Sequence, residues 1–558
     1  MTTSAKAGAG TAGRPPQFDD EAAAGAPAFA WLTAAAIVAT AVPAFVRLPY
    51  NVPGLQSLTP QKILLPLVVL TLAFHLWRRP AGRVITPLVC AAGGLFFWLL
   101  ASVLVNRQHQ FVYNVRAWSW LALDFGLLVA AREMGARPAW RRLLGRSYLA
   151  AVALVALIGF FELLNIPGSD RFFFLFRPNW ISLGLHGPGP EVVLPVHGFA
   201  GTQMFLMSTL SNDAGWFLAL GTVVFAGFLL FGDLHRSWAT RLAPAAIGAG
   251  YLAALLALLL TLSRSSILVA GVGLAVLLGA ASVIWPRLRR RVLVIALVSV
   301  CVAVGQTLSS SVLRTKFITL TSTTAWTRGM APSPPTAIPP ADPPPPTRAG
   351  TPAPRPAVPV APSAAAQSAR TTPPTADPAP AVPVAPPAAV KGAAATEPKS
   401  GSRNVGAWSV TQRVIMARVA FAMVSQHPVF GVGFANFRTR LYEPGEYLEM
   451  FEVADTVADV QDPHNFFLWI ATAGGLPALL LVLLILGLSA RAIIRAVARG
   501  GEDAAWGVTI GAVWLALAGY MFMGFTLMTP ASQAMFALLV GTTAAIEARR
   551  APTGLPAE

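Results

Sequence analysis

Apolar runs of about 17–22 residues recur along almost the whole chain, and each is long enough to cross roughly 30 Å of hydrocarbon as an α-helix. A backbone inside hydrocarbon has no water to bond, so its amides must close their hydrogen bonds within the segment. Runs this long, without polar alternation, specify helices. Twelve are read: near 28–46, 61–77, 84–105, 117–131, 146–164, 214–232, 243–262, 265–284, 291–308, 464–488, 505–527 and 528–547. Composition agrees, because 55% of the 558 residues are hydrophobic and only 12% charged, too little charge to clothe a soluble protein of this length. The expected fold class is all-α: a polytopic membrane protein of about 12 transmembrane helices, with a large external loop between the ninth and tenth.

The net charge of +17 would suit a nucleic-acid binder, but its placement argues otherwise. Arg78, Arg79 and Arg83 lie in one loop, and Arg132, Arg137, Arg141, Arg142 and Arg146 lie two loops on. Arg236 and Arg241, then Arg287 to Arg291, then Arg491, Arg495 and Arg499, then Arg549 and Arg550 continue the alternation. The intervening loops carry far fewer cations. This is the positive-inside pattern, and it places the arginine-rich loops and both tails in the cytoplasm, with no nucleic acid implied. Only Cys90 and Cys301 are present, both within apolar runs, so neither a disulfide framework nor a zinc site is expected.

The expected organisation is a cytoplasmic tail over 1–27, nine helices over 28–308, an external loop over 309–463, three helices over 464–547 and a tail over 548–558. Two shorter external segments are expected at 165–213 and around Ser263 and Arg264. Within the long loop, residues 331–402 are a Pro/Ala tract without the apolar side chains needed to offset ordering entropy, and read as a disordered spacer. "WSVTQRVIMARVAFAMVSQHP" then reads as an amphipathic helix over 409–427. Ser409 and Gln412 have capping-box spacing, Val410, Val414, Ile415, Val419 and Met423 form the apolar face, and Pro428 ends it. Gly431 and Gly433 permit a tight turn, and an acidic run follows from Glu443 to Asp462.

Three side chains stand out. His464 opens the tenth helix on the external side, after Asp462 and Pro463. An imidazole at headgroup depth is ordinarily an interfacial residue, but one with a carboxylate close by to set its tautomer is placed to act as a base on a hydroxyl. Arg264 sits in a hairpin on the side that topogenic charge avoids, where its fork suits a phosphate. Arg413 lies on the external helix and reaches the same depth, although an arginine on a surface helix is commonplace. The acidic run carries no D-x-D, and its glutamates drift around a helix instead of converging, so a solvated face is expected and no metal. Gly474, Gly475 and Pro477 permit a kink or close packing in the tenth helix. Asp124 and Glu162 are helix carboxylates with no assigned role.

"LTLSRSS" (260–266), "SQHPVFGVGFANF" (425–437), "DPHNFFLWIATAGGLP" (462–477) and, more loosely, "LSNDAGWFLAL" (210–220) resemble the O-antigen ligase and O-antigen polymerase superfamily. The resemblance implies an inner-membrane glycosyltransferase. Its donor would be an undecaprenyl-diphosphate-linked glycan and its acceptor a lipid A core or another glycan at the periplasmic face, without metal or other cofactor. It further implies Arg264, Arg413 and His464 as the essential residues, with Asp462, Asn465, Asn212 and Arg418 in support, Arg418 being the alternative to Arg413. A polymerase and a protein O-oligosaccharyltransferase share these features. A lipid-linked sugar transporter is the non-enzyme alternative; it is disfavoured because the uncommon charges sit at the external rim and not at mid-bilayer. A scaffold docking through the Pro/Ala tract is a third class.

Overall fold

The computed structural model describes residues 27–41, 60–78, 85–108, 111–164, 211–232, 244–261, 263–309, 405–441, 447, 463–524 and 530–549. Those residues form helices and turns, with no strand among them. Nine helices come first: α1 Ala28–Ala41, α2 Pro60–Trp77, α3 Pro87–Val105, α4 Phe111–Ala136, α5 Pro138–Leu164, α6 Ser211–Phe231, α7 Pro244–Leu260, α8 Arg264–Ile284 and α9 Arg289–Ser309. They are followed by α10 Val405–Gln426, the short α11 Phe437–Leu441, α12 Phe466–Arg499, α13 Gly501–Met523 and α14 Pro530–Glu547. Proline stands at the first position of α2, α3, α5, α7 and α14, where its missing N–H is an orphan in any case. At α3, Thr86 completes the start by accepting from the Val89 amide at 3.3 Å.

Five helical stretches among the described residues are long and apolar enough to cross a membrane: Pro87–Val105, Arg264–Ile284, Pro286–Ser309, Phe466–Arg499 and Gly501–Met523. Shorter apolar helices occupy Ala28–Thr40, Ile63–Trp77, Gly215–Phe231 and Pro244–Leu260. Helix α4 extends well beyond the expected 117–131, because Arg132 and Glu133 pair with each other and stay buried within it. Large apolar side chains such as Phe97, Leu297 and Leu480 are more than half exposed around the bundle, as a lipid-facing surface requires.

The centre of the bundle is α13, which packs against α12, α8 and α6, while α14 lies against α4 and α12 against α3. Helix α9 stands at the periphery, with Ile295 its buried residue. Outside these helices, α10 builds a second small core from Met416, Val419, Ala420 and Met423 with Val432, Phe437, Leu441 and Tyr447. This corrects two sequence expectations. The helix begins at Val405, so Ser409 lies inside it and not at its N-cap position. The buried face is centred on Met416 and Ala420, which turns Val414 outward. The helix is anchored by its own satellite core, so the apolar stripe need not face the membrane. The Pro/Ala tract, most of the acidic run with Asp462, the 165–210 segment and both tails lie outside the described residues.

Candidate functional site

Helix α8 begins at Arg264, directly after the turn that ends α7. Its N-cap, Ser263, makes no side-chain capping bond; its hydroxyl instead lies 2.8 Å from that of Ser266. The first amides of α8 are therefore not capped by that side chain. Helix α6 starts against this turn, since a Cβ on Gly215 would lie 2.6 Å from Ser266 Oγ. Asn212 thus belongs to the helix turn that overlies the Ser-Arg hairpin, and its side chain lies outside the described residues.

Arg264 has the guanidinium of Arg413 as a neighbouring charge. The two arrive from α8 and α10, far apart in sequence. Arg413 is exposed as a residue, but protein crowds water away from its charged end, and this desolvation lowers its pKa from the ordinary arginine value; the Tyr520 phenol acts on it in the opposite sense. Among the described residues no carboxylate is salt-bridged to Arg413. Arg418 is also exposed, but five residues on it points about 140° further round the helix. The arginine beside Arg264 is Arg413, and Arg418 is not brought to it.

His464 occupies the left-handed region at φ 49°, a conformation rare for residues other than glycine and one in which histidine is enriched. The sharp turn is held from both sides. Pro463 before it is buried, and Asn465 after it caps α12 by accepting from the Leu468 amide at 3.0 Å. Asn465 Nδ2 also donates to the Phe522 carbonyl at 3.5 Å, and a Cβ on Gly524 would lie 4.0 Å from the His464 carbonyl oxygen. The last turn of α13 is therefore seated on the His-Asn turn. Tyr520, buried in that same last turn, is the residue whose phenol acts on Arg413. Arg264, Arg413 and Tyr520 are thus linked in turn by their charges, and His464 lies in the turn on which the last turn of α13 is seated.

Tyr520 is the member of this group that sequence reasoning missed, because a tyrosine near the end of an apolar run reads as an ordinary interfacial aromatic. Asp124 does not join the site. It is buried midway along α4, with Oδ1 lacking a hydrogen-bond partner. Glu162 lies in α5, with its side chain outside the described residues.

This end of the bundle gathers two guanidiniums and the amino-terminal end of α8, whose first amides lack a side-chain cap and carry the positive end of a helix dipole. Such an arrangement favours an oligoanion. No curated protein sequence matches the chain. Residues 249–484 match the family described as O-antigen ligase, a span that takes in Arg264, Arg413 and His464, and over that span the chain is similar to the O-antigen ligase superfamily.

Proposed function

We propose that the protein is an O-antigen ligase-like transferase that moves a glycan from an undecaprenyl-diphosphate donor to an acceptor hydroxyl. The reaction takes place at the periplasmic face of the inner membrane, in the synthesis of cell-envelope polysaccharide. The observation that supports it best is the meeting of Arg264 with Arg413 at the end of the bundle where His464 opens α12. In this reading the two guanidiniums bind the donor diphosphate. His464 takes the proton of the acceptor hydroxyl as that oxygen attacks the anomeric carbon. The bond from the anomeric carbon to the diphosphate oxygen breaks, and the charge that develops on the leaving diphosphate is met by Arg264, Arg413 and the amino terminus of α8. Attack opposite the leaving group inverts the anomeric centre. Asp462 orients the imidazole, and Asn465 holds the turn that presents it. Side chains carry the neutralisation, so no metal is assigned.

Deleting the gene and identifying what accumulates tests the reading and sorts the acceptors. Full-length polymer left on the carrier marks a ligase, single repeat units mark a polymerase, and unmodified protein marks an oligosaccharyltransferase. Complementation with His464→Ala, present in the membrane at the parent level, is expected to lower glycan output by about 10²–10⁴-fold. Near-normal output from that variant would remove the reading.

A further inference from the structure

Helix α12 leaves helical geometry at Gly474 (φ −140°, ψ 15°) and Gly475 (φ 72°, ψ −172°), about 12 Å along the helix from its start. A break inside an apolar bundle frees backbone groups that only protein can satisfy. The turn that follows α10 satisfies them. Leu476 N–H donates to the Pro428 carbonyl at 2.7 Å, and Val432 N–H donates to the Thr472 carbonyl at 2.8 Å. The two backbones touch so closely that a Cβ on Gly431 would lie 2.2 Å from Thr472 O, and one on Gly475 would lie 2.1 Å from Val429 O. Both glycines also have positive φ, so contact and conformation each demand glycine.

Helix α3 closes this joint. Trp98 Nε1 donates to the Gly474 carbonyl at 2.7 Å, while its ring stacks on Phe430 with centroids 5.1 Å apart. Ser102 Oγ lies 2.7 Å from the carbonyl of Phe430 and 2.7 Å from that of Ala473, so one hydroxyl hydrogen is shared between the turn and the broken helix. The short helix 466–473, which begins at His464–Asn465, therefore ends on the same joint as the helix that carries Arg413.

We propose that Trp98 and Ser102, with the Gly431–Gly475 contact, are positioning residues: they set the height and rotation of α10 against residues 466–473, and thereby Arg413 against His464 and Arg264. The consequence for activity rests on the function proposed above; the consequence for geometry does not. Neither side chain belongs to the group that faces the donor, so each acts through the arginine and the histidine.

The test uses the full-length protein in lipid nanodiscs with Cys90 and Cys301, both exposed, replaced by alanine. Spin labels go on Phe421→Cys, on the exposed side of α10, and Val283→Cys, at the far end of the helix that begins with Arg264. Their separation, on the order of 30 Å, reports where α10 sits over α8. Ser102→Ala and Trp98→Phe are each expected to broaden or shift the distance distribution. Ser489→Ala, which removes an equally buried hydroxyl from the lower part of the same α12, is expected to leave it unchanged. With the lipid-linked glycan that accumulates in the deletion strain as donor, the two joint variants are expected to lose about tenfold in kcat with a smaller change in KM. A parent-like distance distribution in both joint variants overturns the proposal, as does a shifted distribution with unchanged kcat. Shifted distributions in the joint variants, combined with a parent protein that transfers no glycan, leave the joint standing and overturn the proposed function instead.

Discussion

The two ends of the bundle carry arginines in opposite ways. At the end where α12 finishes and α13 begins, Arg141, Arg499 and Arg549 are each paired with a carboxylate. Arg141 pairs with Glu502 at 3.0 Å, Arg499 with Asp503 at 2.8 Å, and Arg549 with the same Asp503. The Gly135 carbonyl accepts from Arg141 at 3.0 Å and from Arg549 at 3.5 Å, and the Ile546 carbonyl accepts from Arg499 at 3.1 Å. At the other end, the charge that stands beside Arg264 is another guanidinium. Like charges close together destabilise a fold unless an anion joins them, whereas interleaved pairs staple helix ends. In the proposed reading, the first arrangement serves stability and the second serves the donor diphosphate.

The sharpest way to break this contrast is to remove the arginines at the site end. Arg264→Ala and Arg413→Ala each delete charge-assisted bonds worth about 1.5–3 kcal/mol, which predicts a loss of about 10–150-fold in transfer at parent-level protein in the membrane. Lysine in either place keeps the charge and loses the fork, so a partial loss of about tenfold is expected. Arg418→Ala, on the same helix but turned away, is expected to retain activity. If Arg418→Ala fell as far as Arg413→Ala, the geometric choice between them would be wrong. Transfer assayed in isolated membranes, normalised to protein amount, decides it.

The other end should respond in stability and not in chemistry. Asp503→Asn strips the shared carboxylate from Arg499 and Arg549, both partly buried. A loss of about 1–2 kcal/mol in stability is expected, seen as a lower melting midpoint in detergent, with transfer per folded molecule unchanged. A large fall in transfer per folded molecule would place function at both ends and dissolve the distinction.

How much of this the chain discloses in advance depends on the range of the interaction. The helices follow from local hydrophobicity, and the arginine-rich end from a charge alternation that needs no tertiary information. Arg264 and His464 stand out in the sequence because each sits where a charge or an imidazole is unusual. Tyr520 was not legible, since its meaning comes from a guanidinium on a distant helix. Trp98 and Ser102 were equally silent: their partners lie more than three hundred positions away, and a serine or tryptophan in an apolar run looks like filler. The glycine pair gave a half-signal. Its sequence announced a kink or a close neighbour, and the structure has both at once. The α10 face was legible in part: Val419 and Met423 are buried as expected, Val414 is turned outward, and Met416 and Ala420, outside the expected stripe, pack on the turn and α11.

The smallest expected effect belongs to the longest polar insertion, and it bounds how much of the external segment the site needs. Residues 331–402 lie outside the described residues, and by composition they read as a spacer. Their removal roughly halves the chain between α9 and α12, a change that loop-closure entropy values at about 0.6 kcal/mol in favour of the folded state. The elements that reach the site from this segment start later, with α10 at Val405 and the turn at Pro428. A deletion of 331–402 is therefore expected to keep transfer within about twofold of the parent, because a spacer sets reach and not chemistry. Loss of transfer on this deletion, combined with full activity in His464→Ala, would invert the assignment. The proline tract would then be a docking element, and the His464 end a structural one.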